Sequence, residues 1–333
     1  LSLNREFSAP IKLHWNASLA ELLHLIKFDS DSFNRRESCF KMLLQELQRL
    51  ISDYKGKKEL RPNAAIIEAM GYILKDQKID PHFKSLMLTL PGEDILAQEE
   101  EILDAKAFEA ANHSLSIAFV LKYESTIIEL YNLHHKKESE GDRALKNHLL
   151  MYLVEANHPN SISIAYEQFN SSKNMTDKLN ALIALCQTDS EEKQRSLGEF
   201  FNRWKDDAVV FNKWLQVQAS SRISKTFEIV KKIASTPPFN PENPNNIYSL
   251  HSVLGRKHFV MQREKEITYP WLCNEIKRID KINPQVAARL CSGFNFVKKF
   301  PDEIKVIAQK EIKRLLDTPD LSKNSRELLE GCV

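Results

Sequence analysis

Apolar residues recur every three or four positions along nearly all of this chain, and that spacing limits what it can become. A period of three to four gathers apolar side chains on one stripe of an α-helix, and such a stripe must be buried against a neighbour. Lys41 to Ile51, Ala144 to Val154, Leu179 to Leu185 and Ile304 to Leu316 all carry the pattern. Short polar breaks separate these segments. Pro62-Asn63, Asp80-Pro81, Pro91-Gly92, His158-Pro159, Pro237-Pro238, Asn243-Pro244 and Pro301-Asp302 mark the joints, because proline and its neighbours resist helix continuation. Helices of about 10 to 18 residues with short links predict an all-α fold of stacked antiparallel hairpins. No clean sequence period is visible.

One stretch breaks the pattern. Phe7, Ala9, Ile11, Leu13 and Trp15 alternate with Ser8, Lys12 and His14. A period of two predicts one half-buried β-strand at the N-terminus. Directly after it, Ser18 and Glu21 form the S-x-x-E capping box, and Leu19, Leu22, Leu23 and Ile26 give the stripe of a first helix.

Glycine is scarce, with 8 in 333 residues, and the closest pair, Gly56 and Gly71, is fifteen apart. Phosphate-cradling loops, dinucleotide fingerprints and nucleophile elbows all need close glycines, so they are excluded. Lys and Arg total 47 against 45 for Asp and Glu. That balance argues against a nucleic-acid partner, which requires a concentrated positive surface. Lys231-Lys232 and Lys298-Lys299 read as solvated helix faces. Cys39, Cys186, Cys273, Cys291 and Cys332 include no C-x-x-C pair. Scattered thiols in odd number fit a reducing compartment, and the cytoplasm is the expected location. No apolar run approaches the roughly 20 residues that span a bilayer, so no membrane partner is expected.

The segment Asn283-Pro-Gln-Val-Ala-Ala-Arg-Leu290 is the most informative. Asn283 can cap a helix whose first position is Pro284. Val286, Leu290 and Phe294 form its buried stripe. Gln285 and Arg289, four apart, share a different face. A neutral amide beside a fixed guanidinium can grip a carboxylate or a peptide carbonyl. Trp204 and Trp214, with Phe200, Phe201 and Phe211 nearby, read as core. His134-His135 read as polar surface beside Lys136 and Lys137.

The chain closely resembles the C-terminal helical domain of bacterial-type aminopeptidase N, also called alanyl aminopeptidase, a zinc metallopeptidase family of the gluzincin type. Phe7-Ser-Ala-Pro-Ile-Lys-Leu13 looks like the family's FSAPVKL segment. Asp80-Pro81 and Leu88-Thr-Leu-Pro91 match DP…LTLP, and Asn174-Met-Thr-Asp177 matches NNMTD. Lys213-Trp214-Leu215 with Gln218-Ala219-Ser220 matches DKWFxLQAS. Asn243-Pro244-Asn245 matches an NPN turn, Asn283 to Leu290 the NPQVA-R helix, and Leu321-Ser322 the start of the final helix. These matches follow family order over nearly the whole length.

The resemblance implies a HEAT/armadillo-like superhelical domain over residues 17–333, and it assigns residues 1–16 to the end of a preceding β-sandwich domain. A start at Leu-Ser-Leu rather than Met suggests a fragment or processed piece. The family's zinc sits on an H-E-x-x-H helix. None of the ten His here is followed by Glu, and none of the six Met is followed by Glu as in the amine-binding G-x-M-E-N motif. The resemblance therefore implies no catalytic residue, no metal ligand and no cofactor in this chain, which is expected to be inactive alone. Zinc would belong to the parent enzyme, on its missing N-terminal catalytic domain. The resemblance also implies that this domain caps the active-site chamber, with Gln285 and Arg289 contacting the primed side of peptide substrates. Two departures bear on that chamber. The family's NPNRxR continues here as Asn246-Ile-Tyr248, and its FH..DGSGY segment is eroded to His258 through Tyr269. The alternative is a freestanding helical-repeat scaffold whose concave face binds proteins. A separate enzyme is disfavoured, because no metal motif, glycine loop or paired nucleophile supports one.

Overall fold

The computed structural model describes every residue except Leu1, Lys12 and His14. Among the described residues all regular elements are helical and none is a strand. The chain divides into two compact units. One comprises Leu1–Gly92, Ala107–Ile164 and Ser172–Ala181; the other comprises Glu93–Lys106, Ala165–Ser171 and Leu182–Val333.

In the first unit, helix Leu19–Phe28 packs on Ser32–Lys55, and helix Pro81–Met87 packs on Glu140–Glu155. The capping box forms as the sequence predicts: Ser18 N donates to Glu21 Oε2 at 2.9 Å and Glu21 N to Ser18 Oγ at 3.3 Å. Leu22, Ile26, Met42, Leu43, Leu47 and Leu50 lose all contact with water. Burying side chains of this size supplies the main folding drive, about 1.5–3 kcal/mol each. Gly71 of helix Ala64–Lys75 admits the ring of Tyr123, since a Cβ there would lie 1.9 Å from Tyr123 Cζ. Tyr123 itself interrupts the helical backbone of Ala105–His135, with φ −123°.

The loop motif Asn174-Met-Thr-Asp177 has a structural role in this unit. Asp177 accepts from Lys146 Nζ at 2.8 Å, Asn147 Nδ2 at 3.0 Å and Asn174 Nδ2 at 2.8 Å, while its own N–H donates to Asn174 Oδ1 at 2.9 Å. Burial opposes the carboxylate charge, but these bonds hold Asp177 below the usual carboxylate range.

Three expectations need correction. The first concerns the N-terminal strand. Arg5–Phe7 forms a 3₁₀ turn, with left-handed backbone at Asn4, Glu6 and Phe7. Lys12 and His14, part of the expected alternation, lie outside the described residues. A strand must pair its backbone groups with a neighbouring strand. Here they find other partners. Asn4 Oδ1 accepts from Ala9 N at 2.9 Å, Asp31 Oδ2 accepts from Glu6 N at 3.2 Å, and Phe7 packs against Phe33 at 5.3 Å.

The second concerns His134, which is buried rather than on the polar surface. Its Nδ1 lies 2.6 Å from Asp142 Oδ1, on the first turn of helix Glu140–Glu155. Periodicity could not reveal this, because the partner arrives only when the chain turns back. The third concerns Lys299, which is not merely solvated. Its ammonium donates to the carbonyls of Ala97 at 2.9 Å, Gln98 at 3.3 Å and Glu100 at 2.9 Å. It binds carbonyls at the C-terminal end of helix Glu93–Glu99, where a cation is favoured.

The second unit is built around Leu250, Leu254, Tyr269, Leu272, Ile276, Leu290 and Phe294, all at most 1% exposed. Trp214, half-buried, packs against this core, and Trp204, also half-buried, packs on Phe200 outside it. Trp204 lies 4.4 Å from Phe200, and Trp214 lies 4.9 Å from Phe201 and donates Nε1–H to Leu197 O at 3.1 Å. The Leu321-Ser322 helix start is anchored by buried Asp280, which accepts from Ser322 N at 2.7 Å, Ser322 Oγ at 2.6 Å and Ser325 Oγ at 2.6 Å. All five cysteines are free and buried. Burial pushes the Cys39 and Cys186 thiols up to about 12, far from the thiolate form that reacts. No helix among the described residues is long and apolar enough to cross a membrane.

Candidate functional site

Helix Pro284–Leu290 begins as its sequence dictates: Asn283 Oδ1 accepts from Val286 N at 3.2 Å, with Pro284 in the first position. Val286, Ala287 and Leu290 are buried, which fixes the rotation of the helix. Gln285 and Arg289 are consequently both exposed. The turn that follows is clamped from below. Gly293 approaches Gly255 so closely that a Cβ on Gly293 would lie 3.1 Å from Gly255 O.

That contact ties the helix to an unusual neighbour. Pro244–Ile247 and Val253–Gly255 are α-helical, but Tyr248–Ser252 between them is a π-helical turn. Such turns are rare and often mark functional positions. Here the turn carries Tyr248 under the candidate cation. The Arg289 guanidinium carbon lies 4.7 Å from the Tyr248 ring centroid. Stacking of this kind contributes about 0.5–1 kcal/mol at an exposed site and limits the rotamers of the arginine. Among the described residues Arg289 has no ion pair. The residue is exposed, and its N–H fork matches a carboxylate or two carbonyls.

The residues around the pair are scaffold. Asn246 is buried; its Nδ2 donates to Asn212 Oδ1 at 2.9 Å and its Oδ1 accepts from Asn240 N at 3.0 Å. Behind Tyr248, His251 is fully buried, stacks on Trp271 at 5.1 Å and brings Nε2 to 3.2 Å from Glu275 Oε2. Burial works against the Glu275 charge, yet His251 and Arg278 hold its carboxyl down at about 2. The eroded segment from His258 to Tyr269 is likewise structural. Burial pulls His258 down to about 4. Gln262 accepts from Ala105 N at 3.2 Å, and Arg263 donates to the carbonyls of Arg222, Ile223 and Ser224 at 3.0–3.2 Å.

The structure therefore brings Gln285 and Arg289 to one exposed helix. It adds Tyr248, which the sequence marks only as a departure from NPNRxR. The spacing from 248 to 289 gives no hint of the contact. Among the described residues no group of three or more His, Cys, Asp or Glu is arranged to hold a metal ion.

Residues 19–333 match a family described as a domain of unknown function (DUF3458_C) of ARM repeats. The chain is similar to the aminopeptidase N of Haemophilus influenzae, 27% identical over 335 residues, covering 98% of this chain and 38% of that protein. It is similar to the aminopeptidase N of Caulobacter vibrioides at 27% over 336 residues, covering 98% and 39%. For the aminopeptidase N of Escherichia coli the figures are 26% over 302 residues, 89% and 35%. The match falls in the C-terminal part of these relatives. The chain thus spans less than two fifths of their length. The fold is shared with a crystal structure of Legionella pneumophila aminopeptidase A in complex with aspartic acid, with TM-score 0.88 and 23% identity over 99% of this chain and 40% of that one.

Proposed function

We propose, from the premise that this chain belongs to the DUF3458_C family of ARM-repeat domains, that it serves as the C-terminal helical domain of a zinc aminopeptidase acting on peptide N-termini. In this reading the zinc and the catalytic groups lie in the remainder of the parent polypeptide. Residues 1–16 come from a preceding domain, and residues 17–333 cap the substrate chamber. Gln285 and Arg289 contact the peptide beyond the scissile bond. Similarity to three aminopeptidases N over 89–98% of the chain supports the enzyme class. The single observation that supports the contact role is the Arg289 guanidinium, exposed, steadied on Tyr248 and, among the described residues, without a carboxylate partner. Free, buried thiols support a reducing compartment such as the cytoplasm.

Tyr248 gives the reading a specific form. Where the family pattern offers a second basic residue, this chain offers an aromatic platform that orients one. The peptide would meet one forked cation and one amide rather than a cluster of charges.

The test is Arg289→Ala in the whole enzyme. A charge-assisted hydrogen bond is worth roughly 1.5–3 kcal/mol, so peptides extending past the scissile bond should bind roughly 10- to 150-fold more weakly. Aminoacyl anilides, which have no peptide there, should be turned over as before. Equal losses on both substrate classes would assign Arg289 a structural role and sink the proposal.

A further inference from the structure

Within the first unit, helices Pro81–Met87 and Glu140–Glu155 and the first turns of Met175–Cys186 line a cavity of about 420 Å³. Its walls are mostly polar, with His82, Asn147, His148, Thr176 and Asn180 among the lining residues. They are held in place from behind. Asn147 Nδ2 donates at 3.0 Å to Asp177, the carboxylate that also takes Lys146. Ser85 Oγ donates to His82 O at 2.7 Å, and Asn180 Nδ2 to Thr176 O at 2.9 Å. Gly141 brings two of the helices together, since a Cβ there would lie 3.2 Å from His82 N.

The cavity wall carries one fixed charge of each sign. Glu140 and Arg143 both line it, three apart on the first turn of helix Glu140–Glu155 and so on one face. Glu140 is exposed and Arg143 half-buried. Among the described residues they do not pair with each other, and neither has another ion pair. Arg143 donates one N–H to the carbonyl of Glu138, which anchors the guanidinium at this end of the helix. Its remaining donors have no partner among the described residues. The charges beside the pair are already engaged. Asp142 holds His134 at 2.6 Å, Lys146 holds Asp177 at 2.8 Å, Lys84 holds the Leu74 carbonyl at 2.8 Å, and Asp80 accepts from His82 N at 2.8 Å. Nothing nearby is left over to neutralise Glu140 or Arg143.

We propose that this cavity binds a free zwitterionic amino acid with a polar side chain, its carboxylate on Arg143 and its ammonium on Glu140. Two unpaired charges of opposite sign on one face call for a ligand that carries both, and the guanidinium fork fits a carboxylate. Positions three apart on a helix are about 5–6 Å from Cβ to Cβ, a spacing that suits two charges borne on one carbon. The amides, hydroxyls and imidazoles of the wall call for a polar side chain. A volume of about fourteen waters admits a molecule of roughly ten non-hydrogen atoms. This site does not depend on the role of Gln285 and Arg289, which lie in the other unit.

The test is calorimetric titration of the full 333-residue chain with L-glutamine, N-acetyl-L-glutamine and L-glutamine α-amide. L-Glutamine should saturate at one equivalent and raise the thermal midpoint. The acetylated form lacks the cation and the amide lacks the carboxylate, so each should bind at least roughly tenfold more weakly. Arg143→Gln should abolish the preference over the α-amide and keep the preference over the acetylated form. Glu140→Gln should do the reverse. Absence of saturable L-glutamine binding at millimolar concentration would overturn the proposal, as would equal affinity for the three ligands. Unchanged preferences in either variant would overturn it too. Should a charge variant fail to fold, Thr176→Trp at an exposed wall position keeps both charges and obstructs the cavity. L-Glutamine affinity must then fall at least roughly tenfold, and an unchanged affinity defeats the site.

Discussion

Lys146 and Lys193 are almost equally removed from water, 3% and 2% exposed, yet among the described residues only Lys146 is hydrogen-bonded to an anion. Lys146 lies in the first unit, in a network that fills both oxygens of Asp177. Lys193 lies in the second unit, and its ammonium has no hydrogen-bond partner among the described residues. The pair shows that burial by itself does not tell a structural charge from an unpaired one. What separates them is whether the donors are taken. A fully bonded buried charge joins segments distant in sequence; an unbonded one is a cost to the fold.

The largest effect should come from breaking the satisfied pair. Asp177→Ala leaves Lys146, Asn147 and Asn174 without their acceptor and should cost about 3–5 kcal/mol in urea unfolding. Asp177 also predicts an acid limb. Its folded pKa is depressed, so its contribution is present above the unfolded carboxylate range and is lost as pH falls through the folded value. Asp177→Ala should therefore flatten stability against pH below about 4.

A smaller effect, of opposite sign, is expected at Lys193. Lys193→Met should leave the chain as stable as before or up to about 2 kcal/mol more stable, because it removes a buried charge that nothing pairs. Here too the folded pKa is depressed, but for a cation. The unfolded chain holds this proton more tightly, so stability gained from Lys193 rises with pH between its folded value and the ordinary 10.5. The methionine variant should lose that alkaline rise and keep the acid limb. A loss of more than about 1 kcal/mol in Lys193→Met would mean that Lys193 is paired in solution, and the comparison would collapse.

The smallest effect is expected at Arg289. It is exposed and rests on Tyr248 without an ion pair among the described residues, so Arg289→Ala should cost no more than the stacking it removes, at most about 1 kcal/mol of folding stability. A thermal or urea titration of that variant is also the control for its effect on substrates. A large loss would place Arg289 with Lys146, as a structural charge.

Much of the fold was legible because its signals are local. Ser18 and Glu21 cap the first helix, Asn283 and Pro284 open the helix that carries Arg289, and Trp204 packs on Phe200 four positions before it. Each follows from residues within about one or two turns of one another. The alternation from Phe7 to Trp15 misled for the converse reason. Period two states which faces a strand would have; it does not supply the neighbouring strand that the backbone needs. Asn4, Asp31 and Phe33 offered closer partners.

The candidate site was half legible. Gln285 and Arg289 share a face by spacing alone, and Val286 and Leu290 turn that face outward by being buried. Tyr248 was visible only as a residue out of pattern, and its stacking under Arg289 depends on a π turn and on Gly293 meeting Gly255. The burial of Lys193 gave one overlooked sign, a lysine in line with Leu197 and Phe201 on an apolar stripe.

By itself the sequence determined that this chain is helical, where most helices start, and which family it belongs to. Those properties reside in contacts three or four residues apart and in motifs in order. Only the tertiary structure decided which charges are spent. Asp177 reaches Lys146 across thirty-one positions, and Lys299 reaches Ala97 across 202. Among the described residues Lys193 reaches no acceptor. A lysine carries the same donors in every case, and its role is set by which acceptors folding brings within about 3 Å.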